Sequence, residues 1–79
     1  MTYSKFVHDH QFVTELDRIE PSATQQIHVL EIIEGACRIR ARMALGYSFA
    51  RIFWRGKLLV WYQAGEDEIT LLSIRPDLM

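Results

Sequence analysis

Between Ala36 and Gln63 the chain has no acidic residue, although the whole sequence carries ten Asp and Glu against nine Lys and Arg, for a net charge of -1. That gap excludes sequence-local charge balance there: Arg38, Arg40, Arg42, Arg51, Arg55 and Lys57 are segregated from the acids, and a segregated field can orient a partner where a uniform one cannot. Cysteine is almost missing as well. The single Cys37 rules out an internal disulfide and reads as a small core hydrophobe. No apolar run approaches a membrane span, and the opening M-T-Y-S-K-F-V-H lacks the apolar stretch of a signal peptide, so the expected setting is cytoplasmic, with no membrane partner. G-x-S-x-G, P-loop and dinucleotide fingerprints are absent too, which leaves no support for acyl transfer or nucleotide chemistry and no cofactor to expect. Repeats, low-complexity tracts and linkers are missing, so the 79 residues read as one domain, 1–79. A chain of that length has a total stability of roughly 4 to 12 kcal/mol.

What is present changes period along the chain. Residues 3–7 carry the aromatic and β-branched types of a short first strand. From Asp9, Phe12, Leu16 and Ile19 recur at helical spacing until Pro21 ends the helix. Ser22 with Gln25 forms a capping-box pattern, Ile27, Leu30 and Ile33 with Val29 beside them give a second helix, and Gly35 is placed to end it. After Gly35 the period becomes two: Cys37, Ile39, Ala41 and Met43 alternate with Arg38, Arg40 and Arg42, which predicts a basic strand over residues 36–44. Strands near 47–54, 57–63 and 69–74 follow. The expected fold is therefore an α+β two-layer sandwich: a short first strand, two helices, then an antiparallel meander of four strands. A two-residue loop at Arg55-Gly56 would put Ile52, Leu59 and Trp61 on the buried face, under Leu16, Leu30 and Ile33 together with Ile39, and Arg51 with Tyr62 on the other face. Arg55 resists the positive φ such a turn requires; a longer loop would keep the hairpin but could shift these pairings, and a one-residue slip exchanges the faces.

Three groups of residues can carry chemistry. Arg38, Arg40 and Arg42 would stand about 7 Å apart along a strand, near the spacing of successive phosphates, with Phe49, Phe53 and Tyr62 able to stack on bases and Arg55 and Lys57 extending the basic surface. The same surface suits an acidic protein, or is a solvated strand face kept basic against edge pairing. His8 and His10 flank Asp9 in an H-x-H pattern, but no third ligand is visible, so a metal is not expected and the stretch suits a helix N-terminus. Trp54, Trp61, Phe49, Phe53 and Tyr62 exceed what one helical layer can cover, which points to ordinary core filling, to a partner, or to a homodimer.

With this order of elements, the segments C-R-I-R-A-R, G-Y-S-F-A-R-I-F-W and K-L-L-V-W-Y, about a third of the chain, make it resemble the RelE/ParE-like toxins of bacterial toxin–antitoxin modules. The resemblance implies a small toxin acting on ribosome-bound messenger RNA through the basic aromatic face of its sheet. By position it implies catalytic roles for Arg51 and Tyr62, with Arg40 beside them. The chain departs from that pattern in its acidic balance and in its ending I-R-P-D-L-M, which lacks a basic tail bearing His or Tyr. The alternative is a non-catalytic inhibitor from a phage or other mobile element, of the anti-CRISPR type, that binds a bacterial machine.

Overall fold

A computed structural model describes residues 5–78. The elements run β1 (Lys5–His8), α1 (His10–Ile19), α2 (Ala23–Ala41), β2 (Gly46–Phe53), β3 (Lys57–Ala64) and β4 (Glu68–Pro76). They form an α+β fold with one mixed sheet in the order β1-β4-β3-β2, in which β1 lies parallel to β4 and the other neighbours are antiparallel. Tyr3 and Ser4, expected in the first strand, lie outside the described residues.

The helix signals at residues 9 and 22 act as expected. Asp9 caps α1 by accepting from the Gln11 N–H at 3.1 Å, and Ser22 caps α2 by accepting from the Gln25 N–H at 3.4 Å. Phe12 and Leu16, four apart, are buried from α1. Glu20 is extended just before Pro21, which stops the helix.

The basic strand expected over residues 36–44 is not a strand: α2 continues through Gly35 to Ala41. Val29, Ile33, Cys37 and Ala41 recur every fourth residue and all are buried, so a helical stripe sits inside the same letters that alternate by two. Arginine and alanine are strong helix formers, and Arg38 and Arg40 lie in the last turn, where the helix dipole favours cations. Ile39 accordingly points outward, 65 % exposed, and is not in the core. Ile27, expected in the buried stripe, is exposed as well. Only three strands form the meander, and β1 completes the sheet of four.

Gly35 is thus an interior helix residue and not a cap. A Cβ built on it meets nothing within 4 Å, and its φ is not positive. Gly35→Ala should stabilise the fold by about 0.5 to 1 kcal/mol through helix propensity alone, read as a raised urea midpoint in dilute solution. A lowered midpoint would mean that the helix does not run through this position.

The hairpin takes the longer loop. Phe53 pairs with Lys57, Ile52 with Leu58, Ala50 with Val60 and Phe49 with Trp61, leaving Trp54, Arg55 and Gly56 as the turn. Arg55 and Gly56 both have positive φ, 54° and 130°. The extra residue exchanges the faces of β3: Leu58, Val60, Tyr62 and Ala64 turn to the helices and are buried, whereas Leu59 is half-buried and Trp61 is 42 % exposed on the other side. Both helices cover one face, α1 along β4 and α2 mainly over β2. The core joins Phe12, Leu16, Val29, Ile33, Cys37, Ile52, Val60, Tyr62, Ile69, Leu71 and Ile74. Burial pushes the Cys37 thiol up to about 12, with Arg40 pulling it down and Glu34 raising it slightly, so it stays protonated and acts as a hydrophobe.

One acid closes the sheet where β1 runs out. β1 pairs with β4 only over Glu68 to Leu71, and beyond it Glu15 of α1 accepts from the Ile74 N–H at 3.0 Å, from Ser73 Oγ at 2.7 Å and from Arg75 Nε at 3.0 Å. Burial raises the Glu15 pKa, but bonds from Ser73, the Ile74 N–H, Gln11 and Arg75 outweigh it and hold the carboxyl below its ordinary value. With the folded value below the unfolded one of about 4.3, its stabilisation is complete above that pH and lost as pH falls through the folded value. Glu15→Gln should therefore flatten the fall of urea midpoint with pH in the acid range. An unchanged slope would show that the lost stability comes from other carboxylates.

Candidate functional site

The uncovered face of the sheet gathers Tyr47, Phe49, Phe53 and Trp61 with Arg51, Lys57 and Arg75. Phe49 on β2 and Trp61 on β3, directly paired, meet with ring centroids 5.1 Å apart at a tilt of 54°. The guanidiniums of Arg40 and Arg51 lie 5.7 and 5.6 Å from the centre of the Phe49 ring. Leu59 stands beside them, and Phe53 is 72 % exposed at the end of β2. Tyr47 is 74 % exposed at the other end of the same strand. The alternation of β2 places Tyr47, Phe49, Arg51 and Phe53 together, because the opposite set, Ser48, Ala50 and Ile52, faces α2.

A groove of about 520 Å³ opens at one end of this face, lined by Arg51, Ile52, Phe53, Lys57 and Asp77. Within it Arg51 Nε donates to Asp77 Oδ2 at 3.0 Å. The Asp77 side chain is only 7 % exposed while that of Arg51 is 64 % exposed, so the acid is committed to the protein and the guanidinium still reaches solvent.

The residues singled out in sequence divide between places. Phe49, Phe53, Arg51 and Lys57 share the open face, and Arg40 reaches Phe49 from α2. Arg38 and Arg42 do not join them, since a helix and not a strand carries them. Arg38 lies over the Phe6 ring, 5.1 Å from its centroid, on the β1 side, and its buried Nε has no hydrogen-bond partner. Arg42 is exposed at the end of α2. Arg55 sits at the hairpin tip, 3.0 Å from Glu20 Oε1 and over the Trp54 ring. Tyr62 is 1 % exposed on the helix-covered face, so it is not brought together with Arg51. It lines only a small cleft of about 130 Å³ with Arg40, Met43, Ala44 and Ser48.

Two elements of the site were not foreseen. Trp61 and Leu59, expected in the core, belong to the open face because of the three-residue loop; the reluctance of Arg55 in a two-residue turn was the available signal. Glu20, 2 % exposed, accepts from Trp54 Nε1 at 3.1 Å and from the Ser22 N–H at 3.3 Å as well as pairing with Arg55. No spacing in the sequence links residue 20 to residues 54 and 55. Asp9 and His10 open α1, as their capping pattern suggested, and among the described residues no group of three or more His, Cys, Asp or Glu could hold a metal ion. Among the described residues no helix is long and apolar enough to cross a membrane.

Compared with known proteins, the chain matches no protein-family model, no curated protein and no solved structure.

Proposed function

We propose that this chain is a non-catalytic binding protein that docks the open face of its sheet, centred on Phe49, Trp61, Phe53 and Arg51, onto an apolar, acid-bearing surface of another protein. The observation that carries the reading is the charge state of that face. Phe53 and Trp61 are exposed and Phe49 is half-buried, but Arg51 is already paired with Asp77 and Arg75 with Glu15. A nucleic-acid backbone is bound by cations free to replace its counterions, and here two of the arginines have carboxylates of their own. Trp, Tyr and Arg around an apolar centre are the types that dominate protein–protein hot spots. In the groove, Lys57 beside Arg51 offers a place for a partner's carboxylate.

The separation of Tyr62 from Arg51 supports binding over cleavage, because general acid–base chemistry needs its groups within hydrogen-bond reach of one substrate atom. An inhibitor that blocks a bacterial machine by occupying its surface fits this arrangement and requires no reacting group. The test is affinity capture from bacterial extract with and without ribonuclease, using the wild type and Phe53→Ala, whose side chain is exposed and whose loss should leave the fold intact. A protein that is retained after ribonuclease and lost with Phe53→Ala supports the reading. Capture that disappears with ribonuclease, or cleaved messenger RNA and arrested growth on expression, would replace it with the RNA-directed toxin.

A further inference from the structure

A second apolar surface lies on α2, away from the sheet. Ile32, Ile39 and Met43 are 42, 65 and 86 % exposed. At about 100° per residue Ile32 and Ile39 share one strip of the helix with the smaller Gly35 and Ala36, and Met43 follows in the turn just past the end of α2. The strip is not part of the open sheet face. Ala36 lies at its inner margin, packed against the core, and the space beside Gly35 is open, since a Cβ there would meet no atom within 4 Å. A glycine inside a helix is unfavourable to that helix, and one whose space the chain itself leaves unused suits the close approach of another backbone.

We infer that the occupant is a second copy of this chain, packed through α2 in an antiparallel, two-fold arrangement. The strip is complementary to itself. With the dyad between Gly35 and Ala36, Ile32 and Ile39 lie equally far on either side, so each isoleucine meets the other type on the second copy while the two small residues let the helices come close. Charge agrees with the same register. Glu31 and Arg42 stand on the solvent side of the strip, and among the described residues neither has an ion pair within the chain. The antiparallel arrangement puts Glu31 of one copy level with position 40 of the other and about 3 Å of helix rise from Arg42, within reach of its long side chain, twice. A dimer made this way has its open sheet faces on the same side, both free for the partner proposed above, and it does not depend on that partner.

Sedimentation of the full chain over a range of concentrations tests this. The wild type should shift from the 9.3 kDa chain mass toward twice that mass. Ile39→Asp should weaken self-association by more than about tenfold, equivalent to ~1.4 kcal/mol, without changing the circular dichroism spectrum. Glu31→Arg and Arg42→Glu should each weaken it, and the double swap E31R/R42E should restore it, an outcome that misfolding cannot imitate. A wild type that stays at the chain mass at its solubility limit overturns the proposal. So does a dimer that Ile39→Asp leaves intact, or a double swap no tighter than either single change.

Discussion

Tyr62→Ala should remove about 3 to 5 kcal/mol of stability, whereas Trp61→Ala, one residue earlier and in a larger side chain, should cost less than about half as much. The difference follows from the hairpin register alone. Tyr62 is 1 % exposed and belongs to the core, paired with Ser48 on β2 and Leu71 on β4, so truncation leaves a cavity that the sheet cannot collapse into. Trp61 is 42 % exposed and rests on Phe49 on the face away from the helices, so water takes the place of much of the lost ring. A total stability of roughly 4 to 12 kcal/mol makes the first change enough to unfold much of the population and the second tolerable. Urea midpoints of the two variants check it. Equal losses, or a larger loss at Trp61, would return the chain to the two-residue turn and exchange the faces.

Glu20→Ala should cost about 2 to 4 kcal/mol, unusual for a change at the end of a short helix. Glu20 is 2 % exposed and its carboxylate ties two elements together by three contacts: the turn between the helices through the Ser22 N–H, and the hairpin through Trp54 Nε1 and the Arg55 guanidinium. Most of the loss comes from the orphaned donors, at about 1 to 3 kcal/mol for a buried one. The ion pair adds little, because the Arg55 side chain is 65 % exposed and an exposed partner is screened by water, about 0 to 1 kcal/mol. Arg55 is also the one non-glycine residue among those described with positive φ, and the Glu20 carboxylate holds its neighbour Trp54. Glu20→Gln keeps an oxygen for Trp54 and should cost clearly less than alanine. The indole N–H resonance of Trp54 reports the site directly: it should move strongly in Glu20→Ala and moderately in Glu20→Gln. A stability change under about 0.5 kcal/mol in the alanine variant would mean that the hairpin tip is held by other contacts.

How much of this was legible in the letters depends on whether the deciding force was local. Asp9, Ser22 and Pro21 act on backbone groups within three residues of themselves, and the helix boundaries they signal are where the structure has them. The α+β class also follows from local periods. Residues 36–41 went the other way because two periods coexist in C-R-I-R-A-R. Alternation of arginine suggests a strand, but Cys37 and Ala41 extend the four-residue spacing of Val29 and Ile33, and burial of that stripe against β2 decides. The candidate site was legible in composition and not in geometry. Phe49, Phe53, Arg51 and Lys57 do share a face, but the membership of Trp61 and Leu59 and the exclusion of Tyr62 turn on a single loop residue. Pairings such as Glu20 with Trp54 and Glu15 with Ile74 join residues 34 and 59 positions apart, and nothing local encodes them.

The central claim is that the face of the sheet opposite the helices is where this protein meets another. A photoreactive residue at Leu59, at the middle of that face beside Arg51 and Arg75, tests it most directly when the chain is irradiated in bacterial extract and the adducts are resolved by mass. The account predicts a discrete protein adduct that survives ribonuclease, is lost when Phe53→Ala is added, and does not form from the same group placed at exposed His28 on α2. No adduct from position 59, the same adduct from position 28, or an adduct to nucleic acid would contradict it.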